Sequence, residues 1–306
     1  MTEVLPPDRI DLGVAVLERG GTVAMPTETV YGLAAACDSE TAVKRVFGAK
    51  GRPVDHPLII HVSSQEMAAR YGHLTETALR LIGCFWPGPL TVLVPRTGAV
   101  SDSITGGRDT VALRMPAHAT ALALIDGVGR GLVAPSANRF GHVSPTTVDH
   151  VMDDLDGLID AVIDGGPCVV GVESTIVDCT SRPQVLRSGA VTDADIEDCL
   201  GLAPDGPHGP SRAPGMLSSH YAPDARVVLC ADERSVAETA ARHRAEGRTV
   251  SEVGHGLGAL DYAAGLYRLL RDAEKQGAEV IVALLPTGDG IAAAVRDRLT
   301  KAAGAG

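Results

Sequence analysis

The sequence has few aromatic residues and no excess of positive charge. Aromatic side chains make up 3% of the 306 residues, Trp86 is the single tryptophan, and the formal net charge is −11 at pH 7. Proteins that hold nucleic acids neutralise phosphates with Lys and Arg and often stack bases on aromatic rings. Aromatic residues are scarce and Lys and Arg are outnumbered 27 to 38 by Asp and Glu, so we expect direct RNA binding to be weak or absent and the ligand to be a small molecule.

Common metal and phosphate motifs are also missing. No two of the six cysteines form a C-x-x-C pair, which argues against a zinc ribbon or a redox dithiol. The sequence contains no G-x-x-x-x-G-K-[ST] loop, G-x-G-x-x-G turn or H-x-x-x-H pair. A nucleotide site must therefore use other residues, and most cysteines are expected to be buried thiols.

No segment resembles a secretory signal or a membrane span. Glu3, Asp8 and Asp11 lie where a secretory signal needs positive charge and an apolar stretch. No apolar run approaches the ~20 residues of a membrane span. We therefore expect a cytoplasmic protein with no membrane partner.

Composition and apolar patterns predict an α/β protein with two domains. The hydrophobic content of 45% and charged content of 21% are typical of globular chains. Residues 203–223, APDGPHGPSRAPGMLSSHYAP, are rich in Pro and Gly and predict an extended connector between domains 1–202 and 224–306.

In the first domain, short apolar runs alternate with helical patterns and predict a mixed, twisted sheet with helices packed on it. Helices are predicted over residues 8–19 and from a cap at Asp38 or Ser39 to about Phe47, with an irregular stretch at 26–38. Strands are predicted at 22–25, 58–62, 90–94, 111–113, 132–134, 161–163 and 174–177. The second domain reads as a small Rossmann-like α/β unit without a charged motif of its own.

Two segments near the N-terminus gather polar side chains. The stretch PTETVYGL, residues 26–33, follows a strand, and its hydroxyl groups either line a pocket or satisfy turn backbone. In an extended backbone, Lys50 and Arg52 would leave the same side of the chain and could hold a triphosphate. The alternative for these two cations is a solvated basic turn.

Further polar residues follow predicted strands. Ser136 and Asn138 come after the strand at 132–134, at the kind of strand end where α/β sheets place ligands, although a turn role is equally open. Arg114 ends an apolar strand and needs a carboxylate or phosphate, from a ligand or from an internal salt bridge. His61 is either a core histidine or a site residue.

In order along the chain, these segments resemble the YrdC-like domain of the threonylcarbamoyl-AMP synthase family. The resemblance spans residues 10–191 and rests on PTETVYGL, K-x-R, PLIIHV, FWPGPLT, VALRMP, S-x-N, SPT, ESTIVD and LRSG. Each motif alone is weak, but their shared order is specific. PGM and HYAP in the connector, with LYRLLRDAEKQG and RLTKAA further on, resemble the longer, two-domain branch.

The resemblance implies an L-threonylcarbamoyladenylate synthase, a nucleotidyltransferase that uses ATP and Mg²⁺. L-Threonine and bicarbonate or CO2 would give an N-carboxylated threonine whose carboxylate attacks the α-phosphorus of ATP and releases pyrophosphate. This chemistry needs positive charge, alignment and exclusion of water more than a strong base. The product would pass to a tRNA threonylcarbamoyl transferase complex that modifies the adenosine 3′ of the anticodon.

The resemblance also implies residue roles. The threonine contacts would be Thr29, His61, Arg114, the Ala134 backbone and Ser174, with Arg114 on the carboxylate. The ATP contacts would be Lys50, Arg52, His56, Thr110, Ser136, Asn138, Ser144, Arg187 and Tyr221. The catalytic residues among them would be Lys50, Arg52, Ser136 and Asn138, while Tyr221 would help the connector to close as a lid.

The chain departs from the family pattern at a few positions. His56 stands where the family usually has Asn, and Phe140 stands where a Ser-Gly pair is common. Ser218 and Ser219 occupy connector positions that are often aromatic or basic, so lid closure is expected to differ in detail.

Other readings remain open at this point. A carbamoyl-AMP-forming enzyme of hydrogenase maturation would carry C-x-x-C pairs that this chain lacks. A double-stranded RNA or ribosome-assembly module conflicts with the net acidity. A threonine or nucleotide sensor would bind these ligands without releasing pyrophosphate.

Overall fold

The computed structural model describes residues 1–206 and 221–304. Most of the predicted connector, including its PGM motif, Ser218 and Ser219, lies outside the described residues. The helices are α1 (Ile10–Glu18), α2 (Glu40–Lys50), α3 (Gln65–Ala68), α4 (Glu76–Phe85), α5 (Asp102–Thr105), α6 (Ala119–Val128), α7 (Val148–Leu155), α8 (Asp193–Leu200), α9 (Glu233–Ala245), α10 (Ala259–Lys275) and α11 (Ile291–Ala303). None of these described helices is long and apolar enough to cross a membrane.

The strands form two sheets. They are β1 (Glu3–Leu5), β2 (Val23–Met25), β3 (Gly32–Ala36), β4 (Ile59–His61), β5 (Leu90–Pro95), β6 (Thr110–Arg114), β7 (Leu132–Val133), β8 (Ala161–Ile163), β9 (Thr175–Asp178), β10 (Gln184–Arg187), β11 (Arg226–Cys230), β12 (Val250–Val253) and β13 (Val280–Leu284). The large sheet has ten strands in the order β1-β8-β2-β3-β7-β4-β6-β5-β9-β10, and the small one has the order β11-β13-β12.

The large sheet is mixed, as the sequence predicts. For example, β4 pairs in parallel with β6 and antiparallel with β7, and β5 pairs antiparallel with β6 and in parallel with β9. The small sheet is entirely parallel, which fits the predicted Rossmann-like unit.

The prediction of an irregular stretch at 26–38 was wrong for Gly32–Ala36, which forms β3. This strand reads GLAAA, and its small side chains carry little intrinsic preference for a strand. All five residues are buried, and β3 pairs with β2 on one side and β7 on the other. The strand therefore forms because neighbouring strands satisfy its backbone, which is information that the local sequence does not contain.

Alternation along the central strands creates two sheet faces. The main core contains Ile60, Val92 and Leu113, and it packs against helices of the first domain. The opposite face carries a smaller buried cluster of Ile59, Leu93, Ala112, Ile176 and Leu186. Because side chains two positions apart share a face, His61 follows Ile59 onto this second face and Arg114 follows Ala112.

The two domains share a hydrophobic core. The main cluster of the second domain, built on residues such as Leu266 and Leu299, also contains Val30, Val143 and Val172 of the first domain. Each of these valines is buried by 93% or more, since their exposed fractions are 7%, 2% and 0%. The second domain therefore packs directly against three loops of the first.

The six cysteines divide into two groups. Cys37, Cys168, Cys179 and Cys230 are buried free thiols, in line with the prediction for most of them. Cys84 of α4 and Cys199 of α8 form a disulfide bond, which the sequence did not predict. The bond joins two helices that lie 115 residues apart in the chain.

Candidate active site

A pocket lies over the second face of the large sheet. Eight of the residues assigned from the sequence line it, and they are Arg52, His61, Arg114, Ala134, Ser136, Ser174, Arg187 and Tyr221. They come from seven separate stretches of the chain, from Arg52 just after α2 to Tyr221 near the end of the connector. The lining also includes Thr27 and Glu173, whose roles the sequence left unassigned.

The remaining assigned residues do not line this pocket. They are Thr29, Lys50, His56, Thr110, Asn138 and Ser144. Thr110 begins β6 and shares its face with Arg114, but four residues of strand separate the two by about 13 Å. The other five residues lie behind or beside the pocket wall, and their contacts are described below.

Arg114 forms a buried ion pair with Glu28. Its Nη2 lies 2.7 Å from Glu28 Oε1, and each side chain is 5% exposed. The internal salt bridge and the pocket position, which the sequence left as alternatives, are thus both present. Neither Glu28 oxygen accepts a hydrogen bond from another described residue, so the carboxylate retains capacity for a donor. Arg114 lines the pocket, and the Glu28 carboxylate lies directly beside it but is not part of the lining.

Ser174 is held by two polar neighbours. Its Oγ lies 2.7 Å from Thr91 Oγ1, and Arg187 donates to it from Nη2 at 3.0 Å. Arg187 also donates from Nε to the Ser174 carbonyl oxygen at 3.0 Å. The register of β10 shifts between Val185 and Arg187, and such a bulge turns a side chain that regular alternation would place on the other face.

His61 is a neutral ring at physiological pH. Burial, and then the neighbouring Arg114 charge, lower the pKa of His61 to about 3. Its Nδ1 has no hydrogen-bond partner among the described residues. His61 can therefore offer a pocket ligand a hydrogen bond, but not a positive charge.

The prediction that Lys50 and Arg52 leave the same side of an extended chain was wrong. Lys50 is the last residue of α2, and Gly51 caps the helix with a φ of 61°, a conformation that favours glycine. The Lys50 Nζ donates to the carbonyl oxygens of Ser136 and Asn138, both at 2.6 Å. Burial, and then Arg52, hold the pKa of Lys50 well below its usual range.

Asn138 also organises this loop. Its Nδ2 donates to the carbonyl oxygens of Arg139 and His142, both at 2.8 Å, and the residue is fully buried. Ser136 and Asn138 therefore do not point the same way, because Ser136 lines the pocket whereas Asn138 ties the loop together. Lys50 and Asn138 fix the backbone that presents Ser136.

Two of the departures from the family pattern, His56 and Phe140, contact each other. The rings of His56 and Phe140 meet edge to face with their centroids 5.3 Å apart, and the Arg52 guanidinium lies 5.8 Å from the Phe140 centroid. Arg52 also donates from Nη2 to the Pro57 carbonyl oxygen at 2.9 Å. Burial lowers the pKa of Arg52 to about 10, so its charge persists at neutral pH. His56 and Phe140 together support this guanidinium at the pocket edge.

Thr29 and Ser144 are buried beside the pocket. The hydroxyl groups of Thr29 and Thr27 lie 2.9 Å apart, and Thr27 accepts from the backbone N–H groups of Thr29 and Val30. These are the turn contacts that the sequence offered as an alternative. Ser144 donates from Oγ to Glu173 Oε1 at 2.7 Å. Because a carboxylate can only accept, the Ser144 hydroxyl uses its single proton in this bond. Its oxygen can therefore only accept a hydrogen bond from any further partner.

Sequence reasoning missed the surroundings of Glu173. Tyr267 and Arg298 of the second domain both donate to its Oε2, at 2.7 and 2.8 Å. In the sequence, no charged motif of the second domain marks this contact. The only signal lay in LYRLLRDAEKQG and RLTKAA, which contain these two residues but by themselves indicate no role.

The described residues contain no group of three or more His, Cys, Asp or Glu side chains arranged to hold a metal ion. The two acidic residues at the pocket, Glu28 and Glu173, are each engaged by an arginine. The described side chains around the pocket therefore do not fit a dedicated Mg²⁺ site of the kind built from free carboxylates.

Comparison with known proteins places both domains in related families. Residues 15–189 match the Sua5–YciO–YrdC family model, described as telomere recombination, and residues 191–304 match the threonylcarbamoyl-AMP synthase C-terminal domain. The chain is 41% identical to a threonylcarbamoyl-AMP synthase of Pyrococcus abyssi, with 97% of this chain and 94% of the relative covered. A Bacillus subtilis threonylcarbamoyl-AMP synthase is 38% identical, with 97% and 93% covered.

A solved structure shows the same similarity in three dimensions. The crystal structure of P. abyssi Sua5 in complex with L-threonine superimposes with a TM-score of 0.94 at 39% identity. The match covers 99% of this chain and 98% of that one. The similarity therefore includes both domains.

Proposed function

The chain belongs to the threonylcarbamoyl-AMP synthase family and makes threonylcarbamoyl-AMP for tRNA modification, and we propose that it does so in the pocket over the second sheet face. The observation that carries this assignment to the pocket is the buried Arg114–Glu28 pair beside a cluster of arginines. An amino acid and a polyphosphate need these two kinds of environment side by side.

We propose that L-threonine binds at the Arg114 end. The pair presents a cation and an anion 2.7 Å apart, which complements an amino acid zwitterion. Arg114 would take the threonine carboxylate, and Glu28 would face the amino group. The neutral His61 ring, Ser174, Thr29 through Thr27, and the Ala134 backbone would complete the polar contacts.

We propose that ATP lies towards Arg52 and Arg187. Both guanidinium groups line the pocket and can neutralise phosphate oxygens. Ser136 would contact the nucleotide directly, while Lys50 and Asn138 act through the loop that carries it. Ser144 would accept a hydrogen bond from the nucleotide, because its own proton is directed to Glu173.

The reaction proceeds in two steps that this arrangement suits. In the first, the threonine amino nitrogen bonds to the carbon of bicarbonate, and a water and a proton leave to give the N-carboxylate. In the second, a carboxylate oxygen bonds to the α-phosphorus of ATP as the bond to the β-phosphate oxygen breaks, and pyrophosphate departs. Both steps depend on alignment and on charge stabilisation by fixed groups. The guanidinium groups of Arg52, Arg114 and Arg187 are such groups, because existing hydrogen bonds and ion pairs hold each of them in place.

We propose that Mg²⁺ enters with ATP rather than at a protein-built site. The pocket carboxylates are already paired with arginines, so the ion would rely on phosphate oxygens and water. We further propose that the product passes in the cytoplasm to a separate transferase that acts on tRNA. Direct tRNA binding would be weak, because the chain carries a net charge of −11.

Pyrophosphate release by the purified protein tests the function. L-Threonine, bicarbonate, Mg²⁺ and ATP are left out in turn, and L-serine replaces threonine as a control. We expect release only with the complete set. Release without threonine would indicate a different acyl acceptor, and no release from well-folded protein would refute the assignment to this pocket.

A further inference from the structure

Glu173 is a buried carboxylate in the pocket wall that side chains of the second domain hold in place. Arg298 of α11 donates from Nε to Glu173 Oε2 at 2.8 Å, and the Tyr267 hydroxyl of α10 donates to the same oxygen at 2.7 Å. The Arg298 side chain is 0% exposed and that of Glu173 is 8% exposed. A full positive charge from the second domain therefore reaches the wall of the pocket.

The same carboxylate lies close to the proposed substrate contacts of the first domain. Glu173 immediately precedes Ser174, and Arg187 donates two hydrogen bonds to Ser174, each of 3.0 Å. Burial would raise the pKa of Glu173, but the charges of Arg298 and then Arg187 lower it to about 2. Glu173 is thus ionised at neutral pH, and two arginines act on its charge.

We propose that Arg298 is a positioning residue of the active site, which holds the Glu173 carboxylate towards the second domain and keeps it from pairing with Arg187. Arg298 takes one oxygen of Glu173, and Ser144 takes the other. If Arg298 is lost, Arg187 is the remaining arginine whose charge acts on Glu173. A Glu173–Arg187 pair would offset the positive charge proposed for ATP and would draw Arg187 away from Ser174.

Arg298 also supports Tyr221, the connector residue at which the described chain resumes. Its guanidinium carbon lies 5.2 Å from the centre of the Tyr221 ring, and Tyr221 stacks on Tyr267 with ring centroids 5.8 Å apart. Tyr221 lines the pocket and is 2% exposed. Side chains of the second domain therefore support a residue of the pocket wall.

The shared core gives this contact a rigid base. Val30, Val143 and Val172 of the first domain belong to the core cluster of the second. In the chain, Val143 immediately precedes Ser144, and Val172 immediately precedes Glu173. Apolar packing thus fixes the backbone of these loops, and Arg298 orients the Glu173 carboxylate that one of them carries.

The inference rests on the proposed role of Arg187 at ATP, and it is tested with four full-length variants. Arg298→Met leaves Glu173 without its partner, Arg298→Lys retains the charge, and Arg298→Met/Glu173→Gln removes both charges. Lys275→Met is the control, because Lys275 forms an exposed ion pair across the same domain interface, 2.7 Å from Asp153. The readouts are kcat and KM for ATP, ATP affinity by calorimetry, and the unfolding temperature.

We expect Arg298→Met to raise the KM and Kd for ATP at least tenfold, and Arg298→Lys to recover part of this loss. Adding Glu173→Gln should restore ATP affinity to within about threefold of wild type, since no carboxylate then remains to compete for Arg187. Lys275→Met should leave both the unfolding temperature and the ATP affinity close to wild type, because exposed ion pairs contribute little. A merely structural role would lower the unfolding temperature of Arg298→Met but leave the ATP affinity of the folded variant at the wild-type value.

Wild-type ATP affinity in folded Arg298→Met, or a double variant as weak as the single one, would overturn the inference. If Arg298→Met does not fold, Tyr267→Phe decides, because it removes one hydrogen bond to Glu173 and should raise the Kd for ATP two- to threefold. An unchanged Kd in that variant would also overturn the inference. If wild type binds ATP but releases no pyrophosphate, the proposed function fails, while the calorimetric comparison still tests Arg298.

Discussion

Replacing Arg114 with methionine should strongly destabilise the protein, because it leaves a buried carboxylate without a counter-charge. Arg114 and Glu28 lie 2.7 Å apart, and each side chain is 5% exposed. Removing one partner of such a pair typically costs about 3–5 kcal/mol, since the other charge stays buried and uncompensated. We expect Arg114→Met to lower the free energy of unfolding by roughly this amount.

The double variant Glu28→Gln/Arg114→Met separates stability from substrate binding. With both charges gone, the free energy of unfolding should return to within about 2 kcal/mol of wild type. Threonine should still bind poorly, because its carboxylate has lost a charge-assisted hydrogen bond worth about 1.5–3 kcal/mol. That range corresponds to a rise of roughly 10- to 150-fold in the KM for threonine in both variants.

Urea denaturation followed by circular dichroism gives the stability, and pyrophosphate release at varied threonine gives the KM. The control is Arg9→Met, because Arg9 pairs with Asp11 at 2.9 Å but with side chains 48% and 64% exposed. Exposed pairs contribute little, so this variant should match wild type. The reasoning fails if Arg114→Met is as stable as Arg9→Met, or if the double variant recovers normal threonine KM.

Three further perturbations test other parts of the structure. The pKa of His61 is about 3 in the folded protein and near 6.5 in the unfolded chain, so between these pH values only the unfolded chain binds the proton. The free energy of unfolding should therefore fall as pH drops through this range, with His61 accounting for a loss of about 2 kcal/mol at pH 5 relative to pH 7. Urea titrations of His61→Asn should show a flatter dependence of stability on pH. An added Cβ meets no atom within 4 Å at Gly51 or Gly48, but of these two only Gly51 has a positive φ, at 61°. Gly51→Ala should therefore lower the free energy of unfolding by about 1 kcal/mol, whereas Gly48→Ala should raise it by about 0.5–1 kcal/mol. The denaturant midpoint should accordingly fall in the first variant and rise in the second. Reducing the Cys84–Cys199 disulfide, which closes a separation of 115 residues, should cost about 2–4 kcal/mol, and Cys84→Ser/Cys199→Ser should show the same midpoint with or without reductant.

The sequence predicts those strands whose own residues are apolar enough to indicate burial. Runs such as those at 90–94 and 161–163 are apolar enough to identify a strand without knowledge of its neighbours, and both form strands. By contrast, GLAAA in β3 becomes a strand only because β2 and β7 lie on either side of it. Local patterns do not contain that tertiary information.

The candidate site divides in a similar way. Arg114 could be singled out because a charge at the end of an apolar strand requires a partner, and the structure supplies Glu28. Lys50 could not be oriented correctly, because its direction depends on Gly51 adopting a positive φ and ending α2 one turn later than predicted. Arg298 could not be linked to Glu173 at all, since 125 residues separate them and no local pattern joins them.

The distribution of charge explains how an acidic chain can accommodate a polyphosphate. Although the net charge is −11, both glutamates at the pocket are neutralised by arginines, Glu28 by Arg114 and Glu173 by Arg298. Arg52 and Arg187 line the same pocket, so its local formal charge is positive. Fixed positive groups in a partly desolvated pocket interact with phosphate much more strongly than charges spread over the surface. Ligand selection therefore depends on how these few buried charges are paired, and the arginine that completes the pairing at Glu173 comes from the second domain.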